Sequence, residues 1–307
     1  MQGWIITNGF LHSEKFDELT ALFLDSALRR NMTLIPFKNT DILVELSADD
    51  GGRVFHGMSR PDFILFWDKD ILLAEYFETF GIRVYNSSRA IAVCDDKRKC
   101  HLALQKMKIP MPGTSFAPMT YANIGFTHLD FLQDIIESLG FPMVVKAAFG
   151  SFGQQVWLAK GERQLMDILQ RCPETEILFQ EFISESSGRD IRLQVVGGEV
   201  VGAMLRYSKG DFRANVSAGG RMEQYSPTAE ESRLALQAAR AVGADFAGVD
   251  VLFGKKGPVV CEVNSNAHFK NLLDCSGVNT ADAILQYIQT DILSDGEGLS
   301  CPAITAG

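Results

Sequence analysis

Over its first 95 or so residues the chain alternates short apolar runs with amphipathic stretches. The runs "GWIITN", "TLIPF", "DFILFW" and "IRVYN" read as strands, and apolar residues at helical spacing predict helices over 13–30 and 70–80. Such alternation builds a small α/β domain around a parallel sheet. From Ser87 to Lys108 a single helix carrying "DDKRK" leads into "IPMPGTSF", where two prolines and a glycine mark a second module.

The second module has a different rhythm. "FPMVVKAAFGSFGQQVWLAK" reads as a strand, a glycine-bearing loop and a strand, followed by a helix at 162–171 and the strand "ILFQEFI". "DIRLQVVGGEVVGAMLRYS" is a hairpin turning at Gly197 and Gly198. Beyond the irregular "KGDFRANVSAGGRMEQ" the pattern predicts a helix at 228–242, a second hairpin over 247–266 and a last helix near 280–293. The final "SDGEGLSCPAITAG" has the small polar residues of a frayed, flexible tail.

The second hairpin, "AGVDVLFGKKGPVVCEVNSN", places an acid in each of its apolar strands. Side chains alternate along a strand, so Val260, Glu262 and Asn264 are expected on one face, and a turn centred on Lys256 sets Asp250 across from Glu262. Two carboxylates about 5 Å apart repel by roughly 3 kcal/mol at an effective dielectric of about 20. A shared proton, a neighbouring Lys or Arg, or a bound cation would relieve this, as would a sheet face open to water. Unrelieved, the repulsion predicts that neutralising either acid raises stability. Asn264 adds an amide oxygen, and an all-oxygen set suits a hard cation such as magnesium, which shares its coordination with water and phosphate.

Composition narrows the partners. The net charge of −9 and pI near 5.1 argue against nucleic acid, which needs clustered positive charge. The sequence has no apolar run of about 18 residues and no signal-peptide pattern at "MQGWIITNGF", so the expectation is a cytoplasmic protein that does not enter a membrane. Cysteines at 94, 100, 172, 261, 275 and 301 lack C-x-x-C spacing, and histidines at 12, 56, 101, 128 and 268 are dispersed. Neither set predicts a thiolate or imidazole metal site.

For phosphate, the candidate is Lys146 at a strand end, followed by "AAFGSFGQQV". Gly150 and Gly153 allow backbone approach and Ser151 adds a hydroxyl. The loop is neither a P-loop nor a G-x-G-x-x-G fingerprint, and taken alone it reads first as a plain turn.

The order of motifs is more specific: "VVK", "QEFI", "DIR", "GDFRAN" before a double glycine, "AGVDVL" and "EVN". In this order and spacing, over roughly residues 60–290, the chain resembles the ATP-grasp superfamily and within it the RimK-like carboxylate-amine ligases. The resemblance implies an α/β and α+β architecture, the ATP-grasp fold with an N-terminal Rossmann-like (pre-ATP-grasp) domain. Its implied division is 1–95 for that domain, 96–180 for the central subdomain with the glycine loop, 181–293 for the C-terminal subdomain with the metal site, and 294–307 for the tail.

It also implies residue roles. Lys97 and Lys146 correspond to the lysines that meet the nucleotide phosphates, with Gly150, Ser151 and Gly153 covering them. Glu181 and Phe182 correspond to the adenine hinge and Asp190 to the acid near ribose, while Arg213, Ala214 and Asn215 correspond to the segment closing on phosphate. Asp250, Glu262 and Asn264 correspond to the ligands of magnesium, two ions being expected and manganese being the alternative cation.

The family reaction phosphorylates a carboxylate with ATP, after which an amine attacks the acyl phosphate to give an amide. Arg206 is matched to the reacting oxygens, with Lys146 and Arg213 as its catalytic companions, although a salt-bridged strand end is the plainer reading of Arg206. Arg192 is left between binding a substrate carboxylate and pairing with Asp190. Where close relatives carry a Ser-Pro-Gly type turn, this chain has "NSNAHFKNLLDCSGVN", so Asn266 and His268 become candidates for substrate contact. An amino acid such as glutamate, or a peptide, is the expected substrate, and self-association is left open. The rival readings are a non-catalytic ATP-binding regulatory module and a phosphotransferase that forms no amide.

Overall fold

The computed structural model describes residues 1–11, 14–46, 59–150, 153–172, 175–214 and 220–297. Among the described residues are three sheets. The first contains β1 (Gln2–Thr7), β2 (Thr33–Lys38), β3 (Phe63–Phe66) and β4 (Arg83–Tyr85), all parallel in the order β2-β1-β3-β4. Trp4, Ile5 and Ile6 are all fully buried, as expected of a parallel strand covered on both faces. Helix α1 (Glu14–Arg29) lays Leu19, Phe23 and Ala27 between this sheet and the far end of the chain, where Ile284, Leu285 and Ile288 complete the same core.

The long helix expected from Ser87 to Lys108 is two: α3 (Ser88–Asp95) and α4 (Lys97–Lys106). Between them Asp96 turns extended and caps the second helix, its carboxylate accepting from the Arg98 backbone N–H at 2.9 Å and holding the Arg98 side chain. Lys97 thus becomes the first residue of α4, and its N–H donates to the Ala148 carbonyl beside the glycine loop.

The middle sheet is antiparallel, β5 (Thr114–Phe116), β6 (Met143–Ala147), β7 (Val156–Ala159) and β8 (Ile177–Glu181), in the order β5-β8-β6-β7. Helices α5 (Phe131–Leu139) and α6 (Glu162–Arg171) cover one face of it. The pattern reading does not include α5, although Leu132, Ile135, Ile136 and Leu139 follow helical spacing.

The third sheet contains β9 (Arg189–Val196), β10 (Glu199–Tyr207), β11 (Arg221–Gln224), β12 (Phe246–Gly254) and β13 (Gly257–Asn264), in the order β11-β10-β9-β12-β13. Its two faces differ in chemistry. Ile191, Leu193, Val195, Val249 and Val251 pack against Leu234, Ala235 and Ala238 of α7 (Ala229–Val242), whose start is fixed by a Thr228–Glu231 capping box. The other face carries the charged residues.

Asp250 lies opposite Glu262, as expected, but not because of the turn: Gly254 pairs with Gly257, so the turn is centred between Lys255 and Lys256 and would by itself set Asp250 against Cys261. Past that pair the register shifts, Val251 facing Val260, so Cys261 is an extra residue in β13. The bulge corrects one expectation: Val260 does not share a face with Glu262 but is buried in the core under α7. Helices α8 (Lys270–Ser276) and α9 (Thr280–Glu297) follow. The pattern reading lacks α8, and α9 runs past the expected 293, so the start of the supposed tail is helical; residues 298–307 lie outside the described residues. No described helix is long and apolar enough to cross a membrane.

Besides their shared apolar core and the Arg83–Asp245 ion pair, the first and third sheets are fastened together by Asn86. Asn86 donates to the Phe246 and Ser265 carbonyls at 2.9 and 3.0 Å and accepts from the Asp245 and Phe246 N–H groups at 2.7 and 3.2 Å. Its amide thereby satisfies four backbone groups.

Candidate active site

A cavity of about 310 Å³ lies between the third and middle sheets and is closed by residues of the N-terminal region. Its floor is the charged face of the third sheet, with Asp190 and Arg192 from β9, Arg206 from β10, Asp250 from β12, and Glu262 and Asn264 from β13. Lys146 and Gln180 project from the middle sheet, and Trp67 and Lys69 reach in from beyond β3.

Strand pairing assembles the floor. Arg192 sits across from Asp250 and Arg206 across from Asp190, because β9 lies between β10 and β12. Arg192 donates Nε and Nη2 to the two oxygens of Asp250 at 2.6 and 2.7 Å. Arg206 donates to both oxygens of Asp190 at 2.7 and 2.8 Å, and its Nη2 lies 2.9 Å from Asp250 Oδ2. Burial by itself would raise the Asp250 carboxyl, but Arg192 and Arg206 outweigh it and hold Asp250 down to about 2. For Asp190, burial wins over Arg206 and, with Asp250 nearby, lifts the carboxyl above its ordinary value. Burial would disfavour the Arg206 charge too, yet Asp250 and Asp190 keep it cationic.

Of the ways to relieve the facing acids, the structure uses arginine. Arg192 pairs with Asp250 and not with Asp190, the partner open to it in the sequence, because a cross-strand neighbour is closer than one two residues along the same strand. Arg206 is indeed salt-bridged at a strand end, while still lining the cavity. No three of His, Cys, Asp and Glu form a metal-binding cluster among the described residues. Glu262 and Asn264 fit a magnesium ion in donor type, and the Asn264 amide sits 3.5 Å from the Gly248 carbonyl, too far for a strong hydrogen bond. Asp250 fits only with its arginines displaced from at least one oxygen.

The two lysines hold different partners, and only Lys146 lines the cavity. Lys146 donates to Gln180 Oε1 at 2.7 Å and lies 3.6 Å from Cys261 Sγ. Lys97, outside the cavity lining, donates Nζ to the Gly150 carbonyl at 2.9 Å. Gly150 has φ of 111°, which favours glycine, and a Cβ there would run into the Gln155 side chain. Arg213, paired with Asp211 in the connection after β10, reaches the Gly153 carbonyl at 2.6 Å, and Ala214 lines the cavity beside it. Ser151 and Asn215 lie outside the described residues. Glu181 and Phe182 line the cavity where β8 ends, with Phe182 edge-on to Phe212.

Asn266 and His268 reach the cavity because their loop lies on Gly248: a Cβ at that position would stand 2.4 Å from the Ala267 methyl. Asn266 Nδ2 donates to the Asp68 carbonyl at 2.6 Å, and its shielded Oδ1 has no hydrogen-bond partner among the described residues. Lys270 pairs with Asp274 and is not among the cavity residues.

Residues 94–288 match the RimK-like ATP-grasp domain. The chain belongs to the RimK-like ATP-grasp family. It is 37% identical over 251 residues to the uncharacterized protein MG012 homolog of Mycoplasma pneumoniae, covering 80% of this chain and 85% of that protein. With a probable alpha-L-glutamate ligase 2 of Hahella chejuensis it shares 36% identity over 222 residues, 71% of this chain and 70% of the relative. The solved ATP-grasp ligase PsnB, in complex with a minimal precursor, Mg and ADP, superposes with a TM-score of 0.68 at 17% identity, over 95% of this chain and 98% of that one. D-alanine–D-alanine ligase of Bacillus anthracis in complex with ATP gives 0.67 at 17%, over 97% and 99%. These likenesses establish the ATP-grasp fold.

Within this RimK-like site the sequence reading misses Trp67, Lys69, Gln180 and Cys261. Gln180 was legible as a polar residue inside the buried strand "ILFQEFI"; Cys261 was not, since only strand pairing reveals the bulge that brings it to the cavity.

Proposed function

We propose that the chain is an ATP-dependent carboxylate-amine ligase that joins an amino acid, glutamate or a close analogue, to a small amine or peptide. The observation carrying this reading is one cavity in which Asp190, Asp250, Glu262, the Asn264 amide, Arg192, Arg206 and Lys146 converge. The relatives named probable alpha-L-glutamate ligase support glutamate as the amino acid.

In this reading residues 1–95 complete the acceptor side, 96–180 carry the glycine loop, and 181–293 carry the metal edge. Bound with magnesium, ATP supplies the γ-phosphoryl group that activates the carboxylate and so gives the later amide its driving force. Glu262 and Asn264, joined by Asp250, would hold the cation, with two ions expected and manganese as the alternative. Lys97, Lys146 and Arg213 neutralise phosphate charge and align it, work that is mostly positioning and needs no covalent intermediate on the protein. Arg206 faces the reacting oxygens and stabilises charge developing there, while Arg192, once off Asp250, becomes a carboxylate clamp. Glu181 and Phe182 border adenine, Asp190 the ribose side, and Asn266 and His268 the amine. A cytoplasmic setting, where ATP is available, fits this chemistry.

The test is a screen of carboxylate and amine pairs with ATP and magnesium, including hydroxylamine as a surrogate amine. The expected outcome is a hydroxamate of glutamate or a close analogue, with one ADP released per bond formed. ADP release with glutamate alone, unaffected by any amine, would favour the phosphotransferase, and ATP binding with no product at all would favour the regulatory module.

A further inference from the structure

Behind Lys146 lies a buried polar chain that no step above uses. His101 in α4 and Gln180 in β8 are each 2% exposed. His101 Nδ1 lies 2.7 Å from the Lys97 carbonyl, and Nε2 lies 2.8 Å from Gln180 Nε2. Gln180 Nε2 also donates to Thr114 Oγ1 at 3.0 Å, and Gln180 Oε1 accepts from Lys146 at 2.7 Å.

Donor and acceptor roles in this chain allow one arrangement. A carbonyl only accepts, so His101 carries its proton on Nδ1 and presents a bare lone pair at Nε2. Thr114 gives its hydroxyl proton to the Pro112 carbonyl at 2.8 Å and therefore accepts from Gln180. Both hydrogens of the Gln180 amide are thus used, and its oxygen is turned toward the ammonium. The flipped amide would set its oxygen against the imidazole lone pair and its NH2 against Lys146, two repulsive contacts in a site with little water to relieve them. Burial, reinforced by the Lys146 charge, lowers His101 to about 4 and keeps the imidazole neutral, as this scheme requires.

We propose that His101 is a positioning residue for the Lys146 ammonium, acting through the side-chain amide of Gln180. The same imidazole bonds to the carbonyl of Lys97, the residue whose Nζ holds the glycine loop at Gly150. One neutral histidine therefore registers α4 against the middle sheet at the point where both phosphate lysines start. That Lys146 meets phosphate rests on the proposed function; that His101 orients its anchor does not.

The experiment separates the two. In ligand-free protein, reductive dimethylation of Lys146 is followed by mass spectrometry, with the exposed Lys160 as internal control. His101→Phe, which fills the space without an acceptor, should speed Lys146 labelling several-fold and leave Lys160 unchanged. His101→Gln, whose amide oxygen can reach the Nε2 position, should return the rate to within about twofold of wild type, which filling the space alone would not do. Thr114→Val disturbs the same amide from its other side and serves if His101→Phe folds poorly. Affinity for magnesium-AMPPNP, measured by calorimetry, should fall about tenfold in His101→Phe. Adding His101→Phe to Lys146→Met should weaken it no further. Unchanged Lys146 labelling in folded His101→Phe and Thr114→Val would overturn the proposal, as would an equal loss of affinity in the Lys146→Met background. If Lys146→Met binds nucleotide like wild type, the phosphate role of Lys146 fails, and the labelling result alone decides what His101 does.

Discussion

Arg192 clamps both carboxylate oxygens of Asp250 from the neighbouring strand, with Nε at 2.6 Å and Nη2 at 2.7 Å. The acid that looked destabilised by Glu262 is thereby buried with two counter-charges, since Arg206 also reaches it.

This reverses the expected effect of neutralising Asp250. Asp250→Asn would leave Arg192 and Arg206 short of a partner, and breaking a buried pair costs about 3 kcal/mol or more. Its melting temperature without nucleotide should fall, and Arg192→Met should cost less, because Arg206 still holds Asp250. A melting temperature that rose in Asp250→Asn would restore the picture of unrelieved repulsion.

Glu262 and Asn264 should behave differently, being the less engaged part of the all-oxygen edge. Glu262→Gln and Asn264→Ala are expected to change stability little while lowering turnover by roughly a hundredfold or more, as losing a charge-stabilising contact does. Manganese bound in the presence of AMPPNP, followed by paramagnetic resonance, should weaken in both. Wild-type manganese affinity in both variants would remove them from the metal edge.

His101 sets a pH dependence of stability. Its folded value of about 4 lies below the ordinary 6.5, so between these two values the unfolded chain binds more protons than the native one. Stability therefore falls as pH drops from 6.5 toward 4, by up to about 3 kcal/mol. Lys97 and Lys146, the charges facing the ring, work in the same direction. Urea unfolding at pH 7 and pH 4.5 should show this loss in wild type and a smaller one in His101→Gln; parallel losses would mean that His101 is not the group responsible.

Gly248→Ala tests how the 265–268 loop is seated. With Ala267 only 2.4 Å from the new methyl, the loop must lift, at about 1–3 kcal/mol. Asn266 and His268 would move with it, so the Michaelis constant for the amine should rise more than that for ATP. Equal changes in both would show that the loop does not define the acceptor side.

What could be read in the sequence was local or repeated in order. Strand alternation and the motif order were enough to place Asp250 and Glu262 on one hairpin and to predict the ATP-grasp fold, whereas their direct pairing came from the bulge at Cys261 and not from a turn centred on Lys256. The partner of Arg192 was hidden because it depends on which strand lies beside β9, and nothing in "DIRLQ" records that. The break at Asp96 was readable as a capping acid inside "DDKRK" but lost to the surrounding helical pattern. Cys261 and Val260 exchanged roles through a single extra residue, a choice made by pairing and invisible to a period of two.

The amide of Asn86, with α1 packed against α9, makes the first and third sheets one rigid jaw. The middle sheet is joined to them covalently through only two passages, 107–113 and 182–188, the first pinned where the Val260 N–H donates to Pro110. Exchange of a bulky ligand is therefore expected to tilt the middle sheet as the moving jaw, pivoting beyond Pro110. Distance labels on the first and third sheets should keep their spacing on adding magnesium-AMPPNP, while a label on the middle sheet closes toward both.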